Sequence, residues 1–118
     1  MIKLNASNNQ LKFSFDFHPP ANLEWVDYSG NKITKITGAE GNLYLKYLYL
    51  DNNQITKIDG VANNKSLRVL SLNGNAIEHL ENLDGLWLEE LFISANNLTK
   101  IQNLDTLPVL RTLDLSKN

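Results

Sequence analysis

The sequence has no cysteine, one methionine and two histidines among its 118 residues. Without cysteine there can be no disulfide framework and no thiolate metal site, and nothing indicates that folding needs an oxidising compartment. His18 and His79 are the only candidates for a near-neutral base, and no recognisable nucleophile motif is present. Neither belongs to a zinc-binding spacing. We therefore expect a protein that is not an enzyme and that holds no metal and no cofactor.

Long apolar runs and a strong net charge are also missing. No stretch approaches the ~20 apolar residues of a membrane span, and the first residues lack the apolar run of a signal peptide. A formal net charge of −2 provides no general field that attracts phosphate backbones or anionic lipids. These features predict a cytoplasmic protein that binds neither nucleic acid nor membranes.

The sequence instead repeats one pattern of apolar residues and asparagine with a period of 22 residues. Positions 1, 4 and 6 of each copy are apolar, position 9 is Asn, and the apolar positions then follow in steps of two or three. The copies are 1–22, 23–44, 45–66, 67–87, 88–109 and an incomplete one, 110–118. Such a period predicts a solenoid, because each unit buries its apolar side only against its neighbours. We expect one domain over 1–118, forming the N-terminal part of a longer protein.

Position 9 has a structural role in this interpretation. There the chain turns away from the sheet, and its backbone groups need new hydrogen-bond partners. An Asn amide offers two donors and an acceptor, so stacked amides can bond their own loop and the adjacent one. The predicted ladder consists of Asn9, Asn31, Asn53, Asn75, Asn96 and Asn118.

The motif L-x-x-L-x-L-x-x-N-x-I-x-x-I resembles the leucine-rich repeat. Its period and the tail of Ile101, Leu104 and Leu107 look like the subclass named for a regulatory subunit of type 1 protein phosphatase. The resemblance implies an α/β solenoid with a curved parallel β-sheet on its concave side and short 3₁₀ or irregular convex segments. It also implies a binding surface for other proteins, whose identity the fold does not fix. Phosphatase-regulatory, cytoskeletal, ciliary or centrosomal roles are compatible with this subclass, and a bacterial surface or effector protein is the alternative.

Aromatic and acidic side chains occupy outward positions of the predicted strands. Trp25 and Tyr47 should lie side by side on neighbouring strands, with Tyr49 one step along. Clustered aromatic side chains are typical of binding hot spots, although packing among themselves is the alternative. We predict that this face binds a segment of another protein that carries basic residues beside apolar anchors. The candidate partner-binding residues are Trp25, Asp27, Tyr47, Tyr49, Asp51, Val69, Glu90 and Phe92.

The two ends depart from the repeat. Phe13, Phe15 and Phe17 are predicted to cap the apolar core at the first copy, since terminal units of solenoids have one face without a neighbour. The last copy leaves an unpaired strand over apolar residues, and such an edge invites pairing with another chain. A self-associating or targeting module is therefore the alternative function. We expect Tyr44 and Trp87, just before strands, to pack at the edge of the sheet.

Overall fold

The computed structural model describes residues 1–15 and 20–118. Its six strands form a single parallel sheet in chain order, and each strand has three residues. The strands are β1 (Lys3–Asn5), β2 (Trp25–Asp27), β3 (Tyr47–Tyr49), β4 (Val69–Ser71), β5 (Glu90–Phe92) and β6 (Thr112–Asp114). A 3₁₀ helix over Ala39–Gly41 is the one helical element in the described ranges. One parallel strand per repeat makes the molecule a solenoid, which confirms the fold predicted from the period.

Successive strands pair at equal repeat positions. Trp25 lies opposite Tyr47, and Val69 lies opposite Glu90 although the fourth copy is one residue shorter than the others. The shorter copy must therefore lose its residue in the segment between β4 and β5, because the strand register is kept. Contacts between strands join only consecutive ones.

The apolar repeat positions fill one continuous core along the solenoid. In the third coil these positions have no exposed surface, and the residues concerned are Leu45, Leu48, Leu50, Ile55 and Ile58. In a strand, alternate side chains point to opposite faces, so inward residues at positions 4 and 6 leave position 5 outside. The same alternation therefore forms the core and displays the outward side chains.

The amides at position 9 bond both their own loop and the preceding coil. Asn53 Oδ1 accepts from the Ile33 backbone N–H at 3.0 Å, and its Nδ2 donates to the carbonyls of Tyr28 and Leu50, each at 3.1 Å. Asn9 belongs to the first coil and donates only to carbonyls of its own loop. Bonding between coils therefore begins with the second amide.

Of the three phenylalanines predicted to cap the core at the first coil, Phe15 does so and Phe13 does not. Phe15 is buried and meets the ring of Tyr28 edge to face, with 5.1 Å between ring centroids. The Phe15 backbone N–H donates to the Tyr28 hydroxyl at 3.0 Å. Phe13 is 50% exposed and covers little of the core. Phe17 and His18 lie outside the described residues.

A second set of coil-to-coil contacts occurs at position 16, where Gly38, Gly60, Asn82 and Asn103 all have positive φ. Asn82 Nδ2 donates to the Ile58 carbonyl in the preceding coil at 2.7 Å. The corresponding carbonyl for Gly60 is that of Ile36, and a Cβ on Gly60 would lie 2.6 Å from its oxygen. Glycine lets the coils approach here, whereas asparagine bridges them.

We expect Gly60→Ala to lower the free energy of unfolding by about 2 to 3 kcal/mol. Left-handed backbone costs an L-residue roughly 1 to 2 kcal/mol, and the contact with a backbone oxygen adds to this cost. Gly85→Ala is the matched control, since Gly85 also has positive φ but nothing lies within 4 Å of its added Cβ. Gly60→Asn should recover part of the loss by donating to Ile36, as Asn82 does to Ile58. Equal losses for the two alanine variants in urea titrations would contradict this explanation.

Candidate protein-binding face

The outward side chains at repeat positions 3, 5 and 7 form a continuous surface, which we call the sheet face. Trp25, Tyr47 and Val69 are neighbours on β2, β3 and β4, and Asp27 lies opposite Tyr49. Neighbouring strands of a sheet are about 4.8 Å apart, so side chains at equal positions are close enough to touch. The register therefore brings the predicted aromatic residues together.

The aromatic contact within this face is diagonal. The rings of Trp25 and Tyr49 are 5.6 Å apart between centroids and inclined by 49°. Lys3 Nζ lies 5.5 Å from the Trp25 ring, within the range of a cation–π interaction. Trp25, Tyr47, Tyr49 and Phe92 are all half-buried. Packing among neighbours thus covers part of each ring, and the remaining area faces solvent.

Glu90 provides a negative charge beside this cluster. Burial, and then the carboxylate of Glu90, raise the pKa of the Tyr49 hydroxyl above its ordinary value. A tyrosine hydroxyl is already protonated at neutral pH, and the raised pKa extends this state to higher pH, so Tyr49 can donate a hydrogen bond. Within residues 1–15 and 20–118, the Glu90 side chain has neither a hydrogen bond nor an ion pair. Its charge is thus available to a cation from outside.

The aspartates of the sheet face accept hydrogen bonds from groups of the protein itself. Asp51 Oδ1 accepts from Ser71 Oγ at 2.6 Å and from the Asn73 backbone N–H at 2.9 Å, which joins two coils. Asp27 Oδ1 accepts from the Ser29 N–H in its own turn. Asp114 Oδ1 likewise accepts from the Ser116 N–H, and the hydrogen bonds from Ser116 lower the pKa of the Asp114 carboxyl. These carboxylates hold strand ends, a role that the repeat pattern did not indicate.

Val69 contributes little to the exposed surface of the sheet face. Only 7% of it is accessible, although its position in the repeat is outward. The large side chains of Tyr47 and Glu90 are its neighbours on the adjacent strands. Val69 therefore supports the floor of the face rather than offering area to a partner.

Charged side chains at the strand starts form ion pairs. Lys46 Nζ lies 3.2 Å from Glu24, and Glu89 lies 3.2 Å from Arg111 and 3.9 Å from Arg68. These pairs are partly exposed, so each stabilises the fold by at most about 1 kcal/mol. In the part of the chain that the structure describes, these pairs engage Glu24 and Glu89, whereas Glu90 beside the aromatic rings has no ion-pair partner.

Tyr44 and Trp87 do not pack at the edge of the sheet as expected. They are 63% and 50% exposed, in the turns that precede β3 and β5. The buried apolar positions of those repeats, Leu45 and Leu88, come directly after them. Because these leucines already fill the inward sites, the two aromatic side chains are left outside.

In residues 1–15 and 20–118, no three His, Cys, Asp or Glu side chains are grouped so that they could hold a metal ion. No helix in the same ranges has the length and apolar character needed to cross a membrane. His79 is exposed beyond the asparagine ladder, and His18 falls outside the described part.

Comparison with known proteins agrees with this geometry. The family model described as "Leucine Rich repeats (2 copies)" matches residues 45–85. The leucine-rich repeat ectodomain of the receptor kinase SOBIR1 from Arabidopsis thaliana superposes with a TM-score of 0.66 at 25% identity, over 81% of this chain. The fold is a leucine-rich repeat solenoid. No curated protein sequence matches the chain.

A second leucine-rich repeat structure, an internalin from Listeria monocytogenes, superposes with a TM-score of 0.64 at 23% identity over 83% of this chain. The chain spans 56% of the receptor ectodomain and 36% of the internalin. What the three share is therefore the solenoid fold, and this likeness supports the presence of leucine-rich repeats in this chain. The phosphatase-regulator subclass stays a prediction.

Proposed function

We propose that this leucine-rich repeat solenoid is a non-enzymatic adaptor whose sheet face binds a segment of another protein. Leucine-rich repeat domains generally mediate protein–protein interaction, and the fold is therefore suited to the role. The observation that carries the proposal is the half-buried aromatic cluster of Trp25, Tyr47 and Tyr49 on the outward side of the sheet. Rigid aromatic side chains supply large contact area at low entropic cost, which is typical of binding hot spots.

The charges around the cluster suggest the chemistry of the partner segment. Glu90 has no cation of its own and lies close enough to raise the pKa of Tyr49. An arginine or lysine of the partner would pair with this carboxylate and pack its stem or plane on the tyrosine rings. An apolar side chain beside it would cover the open area of Trp25. We propose a segment with a basic residue next to an apolar anchor.

The test combines peptide selection with a matched pair of double variants. Peptides selected on the wild-type protein from a random display library are titrated by calorimetry against each variant. Trp25→Ala with Tyr49→Ala should weaken binding by roughly 2 to 4 kcal/mol, because both rings bury area against the peptide. The control, Tyr44→Ala with Trp87→Ala, removes the same residue types outside the sheet face and should change affinity little.

Two further results decide the proposal. The selected peptides should be enriched in arginine or lysine beside an apolar residue, and Glu90→Gln should weaken their binding. Circular dichroism of both double variants establishes that the fold is retained. Unchanged affinity of the Trp25 and Tyr49 double variant would sink the assignment of this face.

Other parts of the functional interpretation stay predictions. They concern self-association through the last strand, a phosphatase-regulatory or cytoskeletal role, and a cytoplasmic location. Leu113 on β6 is exposed, which is the feature on which the self-association hypothesis depends. Light scattering over a range of protein concentrations measures it directly.

A further inference from the structure

Exposed lysines of the first three coils share the surface that follows the asparagine ladder. Backbone hydrogen bonds keep this surface in register: the Lys32 N–H donates to the Leu11 carbonyl, and the Gln54 N–H to the Ile33 carbonyl, each at 2.8 Å. Coils that are stacked in this way place equal repeat positions above one another. The lysine patch consists of Lys12, Lys32, Lys35 and Lys57, all of them exposed.

A hollow of about 310 Å³ opens within the patch. Its lining consists of Lys12, Phe13, Lys32, Thr34 and Gln54. Phe13 is half-exposed, although its neighbour in the chain, Ser14, is buried. The hollow thus combines two ammonium groups, a hydroxyl, an amide and an aromatic wall.

Lys57 lines a second hollow together with Glu78 and Glu81 of the fourth coil, so the positive charge of the patch is concentrated at Lys12, Lys32 and Lys35. Among residues 1–15 and 20–118, none of its four lysines makes an ion pair, in contrast to Lys46, Arg68 and Arg111 at the strand starts. The sequence has no acidic residue in the corresponding ranges, 8–14, 30–36 and 52–58. The fourth coil reverses the sign, with Glu78 in its equivalent segment, 74–80. A local positive field therefore exists in a chain whose formal net charge is −2.

We infer that the lysine patch binds an acidic segment of a partner protein. Carboxylates of that segment would pair with Lys12 of the first coil and with Lys32 and Lys35 of the second. An apolar side chain would rest on the ring of Phe13, while Thr34 and Gln54 donate hydrogen bonds at the floor of the hollow. Complementary charge at an exposed site raises association rate and fixes orientation.

A polypeptide fits this surface better than a nucleic acid does. The field is limited to three coils, about 10 Å across the stack, and ends at Glu78 of the fourth. A nucleic-acid strand that continued along the solenoid would meet this acidic segment. Among the described residues that line the hollow, Phe13 is the one aromatic ring, whereas single-strand binding relies on several aromatic rings that stack on successive bases.

This inference does not depend on the sheet face. The two surfaces carry charge of opposite sign, because Glu90 lies beside the aromatic cluster and the lysines lie beyond the asparagine ladder. Variants at Trp25 and Tyr49 should therefore leave binding at the lysine patch unchanged. Failure of one proposal is thus distinguishable from failure of the other.

The experiment measures fluorescence anisotropy of a labelled peptide that contains glutamates around a leucine. Lys12→Glu with Lys32→Glu should lower the affinity by at least about tenfold, since two charge pairs with the peptide are lost and the reversed charges repel its glutamates. The control, Lys65→Glu with Lys100→Glu, changes the net charge equally at exposed lysines outside the patch. It should change the affinity less than about twofold. Added salt should weaken wild-type binding.

Two other probes complete the test. A peptide with glutamine in place of each glutamate should bind much more weakly, and a single-stranded oligonucleotide of similar length should bind more weakly than the acidic peptide. Equal losses in the two double variants would overturn the proposal, because the effect would then be one of net charge alone. Tighter binding of the oligonucleotide would also overturn it and identify a phosphate backbone as the occupant.

Discussion

Replacing Asn53 by alanine is expected to lower the free energy of unfolding by about 3 to 5 kcal/mol. The amide bonds the Ile33 N–H and the carbonyls of Tyr28 and Leu50, with a longer contact of 3.3 Å to Asp51. A buried backbone group that loses its partner costs roughly 1 to 3 kcal/mol, and alanine leaves several such groups at once. The loss should thus exceed that of a single hydrogen bond.

Urea unfolding followed by circular dichroism measures this difference, and two further variants control it. Asn9→Ala removes the same amide where it is exposed and bonds only its own loop, so the loss should stay within about 1 kcal/mol. Asn53→Asp keeps an acceptor for Ile33 but supplies no donor for Tyr28 and Leu50. It should therefore be about as destabilising as alanine. If Asn53→Ala lowered the free energy of unfolding no more than Asn9→Ala does, hydrogen bonds between coils would not be the reason why the amide stabilises the fold.

The ladder also determines the geometry of the surfaces on which the proposed functions depend. Asn75 Oδ1 accepts from the Ile55 N–H, and Asn96 Oδ1 from the Ile77 N–H, each at 3.0 Å. Every such bond crosses from one coil to the preceding one and thereby keeps equal repeat positions in line. Trp25 and Tyr49 on one side, and Lys12 and Lys32 on the other, meet only because this alignment is kept. We therefore expect ladder variants to impair binding indirectly, through the register.

The sequence was sufficient to predict the parallel sheet, because an apolar period fixes which residues face inward whatever the return segments do. It was also sufficient to predict that Trp25 and Tyr47 are neighbours. It did not reveal the contacts at position 16, where two glycines are followed by two asparagines along the stack. Gly60 has no side chain and Asn82 has a polar one, so the sequence does not show that they are equivalent. What they share is the left-handed backbone conformation.

The details of the candidate site were less predictable for a different reason. Period-2 alternation tells which side of the sheet a side chain leaves from, but the rotamer decides what it then contacts. Trp25 turns toward Tyr49 across the diagonal, and Asp51 bonds the hydroxyl of Ser71 in the next coil. The lysine patch was missed because its members sit at three different repeat positions. Their common surface depends on the hollow beside Phe13, which the period does not encode.

A second large effect is expected for Leu70→Ala, which should lower the free energy of unfolding by about 3 to 5 kcal/mol. Leu70 has no exposed surface, and its strand β4 pairs with β3 on one side and β5 on the other. Truncation removes apolar area and leaves a cavity between two coils that cannot collapse without breaking the register. Leu4 is the matched control at the same repeat position. It is half-buried in the first coil, so Leu4→Ala should cost only about 1 to 2 kcal/mol.

The Leu70 variant should also change the shape of the unfolding curve. Strand contacts join only consecutive strands. The coils before β4 and those after it are therefore coupled through the coil of β4. In a quasi-one-dimensional array, stability is a sum of unit and nearest-neighbour terms, and a weakened central interface uncouples the two sides. We expect the urea transition of Leu70→Ala to broaden relative to the wild type, whereas that of Leu4→Ala shifts and keeps its slope. Parallel slopes for both variants would mean that the solenoid still unfolds as one unit, and that coupling extends beyond the neighbouring coil.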